Sequence, residues 1–435
     1  MINLNKHFLQ IKKGGVIVVI KKIRSLFYLL LNFPIYVIAI PTLIILYLIR
    51  PFFLVRWQKL NSQRIGHFVP ETELYCCERD AGINVPSQRY VDFFYLSKYV
   101  SNKQIEKMWR RSIIILPRWL LLPLFRVNRF FSLFVQSGNY HEINSCSKAY
   151  SKERDIHGMY ERFKTHIGFT HEEEIKGKRF LKKLGIPQDV KFVCLVVRDS
   201  GYLDRQQKKY NLRDWNYHNY RDGDIDNYVL AAEELARRGY YVFRMGINVL
   251  KPLKSSNPKV IDYANLGIRS NFMDIYLGAK CSFCLSADSG FEHVPTSFRR
   301  PLCGRHVPLA FIYTNNPKSL LITKHHIHKK SKKELTLSEI FSSNAAMSVS
   351  SEEFEQNGVE LEESSPEEIR DLVIEMDERL NGNWNETEED LLLQKKFWSI
   401  FIENMKRLNL KQPMHGKIRA KFSAKFLRDN QNWIR

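Results

Sequence analysis

Three short segments of this chain carry the residue types that grip and activate a phosphorylated substrate. Arg198-Asp199-Ser200-Gly201-Tyr202 follows one apolar run, Arg244-Met245-Gly246 a second, and Ala287-Asp288-Ser289-Gly290 a third. If those runs are strands of one parallel sheet, the three groups converge at its carboxyl edge, where α/β sheets bind their ligands. The turn at Asp288-Ser289-Gly290 opens a helix, and unpaired N–H groups with the positive end of a helix dipole favour an anion. A guanidinium from a neighbouring strand end can hold the same phosphate bidentately. Asp288 would repel phosphate, so Ser289 and Gly290, with Arg198 and Arg244, are the expected contacts of a diphosphate.

Around this core lie further polar groups. Tyr217-His218-Asn219-Tyr220-Arg221-Asp222-Gly223-Asp224 is dense in side chains able to touch substrate, and such a connection either closes over a ligand or is tied down by its own hydrogen bonds. Asp262-Tyr263 and Arg269-Ser270 are placed to meet a base or ribose, and Asp274 lies inside a helix. For the base that deprotonates an acceptor, the candidates are Asp199 and, in Glu78-Arg79-Asp80, the carboxylate of Asp80. Cys281 and Cys284 have metal-like spacing but sit in an apolar strand with no second pair, which reads as core. His325, His326 and His328 have no carboxylate or Cys companions in sequence and read as a solvated basic face. No resident metal or cofactor is expected.

These groups need strands and helices to position them. Val190–Val197, Tyr240–Met245, Val260–Ala264 and Cys281–Ser286 are short runs suited to buried parallel strands. Between them lie a helix capped by Asp226 and stopped by Gly239, and a second from Phe272 to Ala279. That alternation is a doubly wound α/β sheet. Thr170 followed by Glu172, Glu173 and Glu174, with Lys182, Lys183 and Gly185 at the far end, marks both ends of a preceding helix. Two more helices, Pro366–Leu380 and about Thr387–Leu408, follow the sheet. The expected organisation is 1–56 as a membrane segment, 57–185 as an acceptor-side domain, 186–365 as the nucleotide-binding domain, and 366–435 as helices returning toward the first domain.

The 435 residues carry a formal charge of +21 with 44% hydrophobic residues, a globular balance. Ten Lys or Arg and no acid lie in residues 1–66; residues 102–130 and 411–435 each hold seven basic residues and one acid. The remainder is close to neutral, so the sheet body has no basic stripe, and nucleic acid is not an expected partner. From Ser25 to Ile49 no residue is charged, a length able to span a bilayer core or, with breaks at Pro34 and Pro41, to enter and leave on one side. Residues 108–126 alternate Trp and Arg with bulky aliphatics, as either an interfacial element or a core helix pair with snorkelling Arg does, and the amphipathic Lys417–Arg428 suits a helix on anionic lipid or a solvated terminal one. Seven Cys without paired spacing suit a reducing compartment.

Tyr217-His218, Tyr220-Arg221-Asp222, Asp224–Tyr228, Arg244-Met245-Gly246, Ile261–Ala264 and Phe272–Leu277, together with Asp214-Trp215, resemble a bacterial family assigned as glycosyltransferases and associated with surface-polysaccharide genes. Met273–Gly290 is also similar to the donor region of α1,6-fucosyltransferases, and Asp288-Ser289-Gly290 with His293 to heptosyltransferases. Where the fucosyltransferases have two adjacent Arg, this chain has Arg198-Asp199. The resemblance implies a GT-B-like fold of two Rossmann-like domains facing a cleft, and a metal-independent transfer from a nucleotide diphosphate sugar. With the basic apolar segments, the expected protein is a membrane-associated glycosyltransferase on the cytoplasmic face of the inner membrane, acting on a lipid-linked or envelope glycan. An epimerase-like sugar-nucleotide enzyme and a noncatalytic membrane scaffold are the alternatives.

Overall fold

The computed structural model describes residues 15–16, 18–20, 22–23, 33–133, 140–143, 152–202, 204–205, 216–314 and 316–435. Residues 25–32 of the expected membrane segment, Asp214, Trp215 and one of the seven Cys lie outside them. Two compact units result, and the chain passes between them several times. One comprises residues 1–60, 85–97 and 113–144, the other 61–84, 98–112 and 145–435. The division therefore differs from the linear boundaries expected: much of 57–185, and all of 366–435, groups with the large sheet. Glu73 shows why for the first stretch, since its carboxylate meets Arg299 at 2.6 Å and His166 at 3.1 Å.

In the smaller unit, β1 (Leu54–Leu60), β2 (Tyr90–Leu96) and β3 (Ile114–Ile115) form a parallel sheet in that order. Arg56 and Asp92, on paired positions of β1 and β2, are both buried and joined by two hydrogen bonds of 2.7 and 2.6 Å. Helix Phe33–Ile49 packs on helix Arg118–Phe131, with Tyr47 donating to Asn128 Oδ1 at 2.7 Å. Of the breaks expected at Pro34 and Pro41, the one at Pro41 is absent. Pro34 lies in the first turn, where a missing N–H costs nothing, while Pro41 and Pro123 sit inside continuous helices. Among the described residues no helix is long and apolar enough to cross a membrane.

The larger unit is built on β4 (Phe192–Val197), β5 (Tyr241–Arg244), β6 (Val260–Ile261), β7 (Cys284–Ala287), β8 (Leu302–Arg305) and β9 (Leu320–Ile322). A hairpin of β10 (His325–His328) and β11 (Val359–Glu362) follows, and β12 (Lys421–Phe422) rejoins the main sheet. All seven strands are parallel, in the order β12-β9-β8-β7-β4-β5-β6. The six residues of β4 are all buried because helices cover both faces. Val193, Leu195 and Val197 pack with Ala232 and Leu235 of helix Val229–Arg237 and Leu372 of helix Pro366–Asn381; Phe192, Cys194 and Val196 face Met273 and Leu277 of helix Asn271–Lys280. Cys281 and Cys284 belong to this second core, where burial pushes the Cys284 thiol up, so the core reading holds.

Three local readings change. The helix after the polar loop begins with a 3₁₀ turn, Ile225–Tyr228, and its cap is Asp224, whose carboxylate accepts from the Asp226 N–H. The C-terminal amphipathic run is not a lipid-facing helix: it splits into β12 and helix Ala424–Asp429, and Phe422 and Phe426 pack against Trp433. The histidine cluster is a strand rather than a solvated face, with His326 fully buried and His325 held between Glu334 at 2.6 Å and Glu368 at 3.1 Å.

Those two carboxylates, Glu334 and then Glu368, push His325 up to about 10 against its burial. A folded-state value above the unfolded one of roughly 6.5 means the proton is held more tightly in the folded chain. Its stabilisation is complete below the unfolded value and is lost as pH rises through the folded one. Urea midpoints should therefore put wild type above His325→Gln at pH 6, with the gap shrinking toward pH 10; a gap constant across that range would contradict the pairing.

Candidate functional site

The chain leaves β4 for β5 and β6 on one side and then returns to place β7 on the other, so β4 and β7 flank a topological switch point. In α/β sheets such a point, outside the carboxyl ends of the strands, is where ligands bind. Val197 pairs with Ala287, so Arg198 and Asp288 are the next residues on adjacent strands. The expected convergence of these two groups is present.

Arg198 points toward the β7 side. Its side chain is 11% exposed, and Nε lies 2.9 Å from Asp222 Oδ1 without the alignment of a hydrogen bond. Nε and Nη2 have no hydrogen-bond partner among the described residues. Beside it is Arg221, whose Nη1 is 3.8 Å from Asp288 Oδ1, outside hydrogen-bond reach, and whose Nε is also unpartnered. Burial, and then the charge of Arg221, push Arg198 below the ordinary guanidinium range. Burial likewise pushes the Asp222 carboxyl up, against the pull of Arg198. Two like-charged groups with spare donors are the arrangement that an anion with several oxygens would complete.

The loop bearing Arg221 is pinned. Gly223 N–H donates to Arg198 O at 2.9 Å, Arg305 Nη2 donates to Arg221 O at 2.9 Å, and Lys324 Nζ donates to Asp222 O at 2.8 Å. A Cβ on Gly223 would lie 3.1 Å from Val197 Cγ1 and 3.2 Å from Arg305 Nη2, so the chain crosses the end of β4 where a side chain crowds it. Tyr220 is buried against Phe354, and Tyr217 and His218 have ring centroids 3.9 Å apart. Of the two readings of this loop, tied-down structure describes residues 216–223.

Arg244 does not join Arg198. It is 1% exposed, with Nη1 3.4 Å from Asp262 and Nη2 3.9 Å from Asp199. Asp199 faces this side too, accepting from Gly201 N–H and Leu250 N–H at 3.0 Å each. Asp262 accepts from Leu253 N–H at 2.9 Å and from Asn265 at 2.7 Å. Tyr263 is fully buried, its hydroxyl accepting from Ser270 N–H and donating to Asp274. Arg244, Asp199, Asp262 and Tyr263 thus form the brace of the β5–β6 loops, and their expected contacts with a donor are corrected accordingly. Asp80 is also committed elsewhere, to His166 at 2.9 Å and Arg79 at 2.9 Å. Through Glu73 that cluster reaches Arg299, beyond the far end of helix His293–Ser297 from Asp288. Cys77, 3.8 Å from His166, is buried and its thiol pushed up by burial, so the group is no nucleophile.

At the turn after β7, Ser289 N–H is spent on Glu292 Oε2 at 3.2 Å, in a capping box with its own 3₁₀ turn Gly290–Glu292. It is therefore not the free amide expected. The Gly290 backbone abuts Gly66, where a Cβ would fall 2.9 Å from Gly290 Cα. Behind the turn, Glu292 accepts from Ser286 Oγ at 2.5 Å and from the Tyr313 hydroxyl at 3.1 Å; burial, then Asp288, push its carboxyl up. His293 Nε2 lies 3.0 Å from that hydroxyl, and burial drives the ring down to about 3. Arg154 caps the Tyr313 ring at 3.8 Å.

Sequence reasoning missed Arg305, Lys324, Glu292, His306 and Tyr313. Arg305 and Lys324 end or follow β8 and β9, runs of only four and three residues, and both meet Glu363 at 2.8 Å. Burial, then Arg305, bring Lys324 down to about 8. Their signal was the same as that of Arg198: a basic residue closing an apolar run.

No protein-family model and no curated protein matches the chain. Solved structures do. The glycosyl transferase family 9 protein from Veillonella parvula DSM 2008 is 10% identical, with 62% of this chain and 85% of that one covered and a TM-score of 0.40. E. coli ADP-heptose LPS heptosyltransferase II is 11% identical, covering 58% and 85%, with a TM-score of 0.34. E. coli heptosyltransferase WaaC with ADP is 12% identical, covering 68% and 99%, with a TM-score of 0.30. At these values no residue role passes from them to this chain.

Arg198→Gln and Arg244→Gln separate the two clusters. Arg244→Gln leaves Asp262 and Asp199 without their buried cation and should cost about 3 kcal/mol. Arg198→Gln removes a cation whose Asp222 partner is partly exposed and makes no hydrogen bond to it, and should cost about 1 kcal/mol. Urea midpoints in the opposite order would contradict this assignment.

Proposed function

We propose that the chain is a GT-B-type glycosyltransferase that takes its sugar from a nucleoside diphosphate sugar. The observation that carries this reading is the pair Arg198 and Arg221, with unpartnered guanidinium donors at the switch point of a seven-stranded parallel sheet. As the bond from the sugar to the β-phosphate breaks, charge builds on the leaving diphosphate, and two preset guanidinium groups offset it without reorganising. Support also comes from the resemblance, whose Tyr220-Arg221-Asp222 motif supplies one of the two. Neither Asp199 nor Asp80 is proposed as the acceptor's base, since both are held by structural hydrogen bonds.

The proposed acceptor is a lipid-linked or envelope glycan, met at the cytoplasmic face of the inner membrane, with residues 57–185 as the acceptor side. What supports membrane attachment is the smaller unit. Helix Phe33–Ile49 buries Ala39 and Leu43 but exposes Val37, Ile38, Ile44, Ile45 and Leu48, and Trp119 and Phe130 are exposed on helix Arg118–Phe131. Thirteen Lys or Arg and two acids fall within this unit's sequence, and Asp92 is consumed by Arg56. An apolar face on so basic a unit suits in-plane docking on anionic lipid. An epimerase would act on the donor without any acceptor, and a scaffold would bind no nucleotide.

Thermal shift with UDP, GDP, CDP and ADP should find one diphosphate that stabilises wild type, with the shift lost in Arg198→Ala and Arg221→Ala. Transfer with the matching sugar donor should be lost with it; no stabilisation by any of the four, or equal stabilisation of both variants, would remove the donor site.

In co-sedimentation with vesicles containing phosphatidylglycerol, the full chain should bind, and Ile45→Asp with Leu48→Asp should weaken binding at least about tenfold. Undiminished binding by that double variant would show that the helix face is not the docking surface.

A further inference from the structure

The crevice poses an electrostatic problem, because two carboxylates, Asp288 and Glu292, stand beside the guanidinium pair. Ligand oxygens of Asp288, Glu292 and a ring nitrogen of His306 lie within 4.8 Å of one another. His306 is 3% exposed, and its Nε2 has no hydrogen-bond partner among the described residues. The two oxygens of Glu292 offer about four lone-pair sites. Three are met, by Ser286 Oγ, Ser289 N–H and the Tyr313 hydroxyl, which leaves room for one more contact. Asp288 has Arg221 Nη1 at 3.8 Å, an ion pair too long for a hydrogen bond.

Two other groups of this composition occur among the described residues, and each already holds a protein cation. In Glu73-Cys77-His166 the Arg299 guanidinium is 2.6 Å from Glu73. In His67-Glu71-Glu153 the imidazole itself is paired, 2.9 Å from Glu71 and 3.6 Å from Glu153. At Asp288, Glu292 and His306 the ion pair is longer, Arg221 Nη1 standing 3.8 Å from Asp288, and among the described residues His306 Nε2 has no hydrogen-bond partner.

We propose that Asp288, Glu292 and His306 hold a divalent cation of the Mg²⁺ or Mn²⁺ class, which screens the two carboxylates from a diphosphate bound by Arg198 and Arg221. The two carboxylates suit such ions, which keep open positions for water and phosphate oxygens, and the imidazole is a ligand that Mn²⁺ accepts more readily than Mg²⁺. This departs from the metal-free expectation drawn from the resemblance. The cation site stands on the three side chains alone; its effect on a diphosphate rests on the donor reading.

The test is a Mn²⁺ titration of the full chain without nucleotide, reading free Mn²⁺ by electron paramagnetic resonance. One site per chain is expected, displaced by Mg²⁺, weakened at least about tenfold in Asp288→Asn and in His306→Gln, and unchanged in Glu71→Gln. Circular dichroism melts check that the variants fold, and either of the first two suffices if the other does not. No stoichiometric binding up to about 1 mM Mn²⁺, or binding that neither variant weakens, overturns the proposal. A nucleoside diphosphate titration in excess chelator separates the two readings. Nucleotide binding there without any Mn²⁺ site sinks the cation alone, whereas a Mn²⁺ site without nucleotide binding in either condition sinks the donor reading.

Discussion

The donor reading of this chain depends on two partly buried guanidinium groups kept short of hydrogen-bond partners. An N–H withdrawn from water and left unpaired costs on the order of 1–3 kcal/mol, so a fold tolerates it only where surrounding contacts fix the geometry. Arg198 is fixed because it follows the last residue of a strand buried on both faces. Arg221 is fixed because its loop is tied to the ends of β4, β8 and β9 through Gly223, Arg305 and Lys324. The same pinning keeps the two charges together against their repulsion.

The alternation of side chains past the end of β4 sorts the polar residues into two groups. Arg198 goes to the β7 side with Asp222, Arg221 and Asp288; Asp199 goes to the β5 side with Arg244 and Asp262. Charge within each group is nearly balanced, but the groups differ in kind. The β5 side is closed to water: its acids accept from backbone N–H groups and its arginine is sealed, although the Arg244 Nε, like that of Arg198, has no hydrogen-bond partner among the described residues. On the β7 side the arginines approach their acids without completing hydrogen bonds. A closed group braces, and an open one can take a ligand.

How much of this is legible in the sequence follows from what each level depends on. The central strands are readable because a parallel strand covered on both faces must be apolar throughout, as Phe192–Val197 is, and the convergence of Arg198 with Asp288 follows from chain order alone. The partner of Arg198 is not readable, because Arg244 and Arg221 both lie near strand ends and only the side to which each side chain turns decides between them. Ser289 likewise looks available until Glu292, three residues on, consumes its N–H. β12 is two residues long and joins the sheet from the far end of the chain, so no local pattern marks it. Pro41 and Pro123 lie inside helices, so an internal proline does not by itself mark a helix end here.

A crystal structure of the chain with a nucleoside diphosphate is the most direct measurement of the central claim. Phosphate oxygens within about 3 Å of both the Arg198 and the Arg221 guanidinium nitrogens, with Arg244 still against Asp262, is the result this account predicts. A diphosphate bound against Arg244 instead, or away from the β4–β7 crevice altogether, would contradict it.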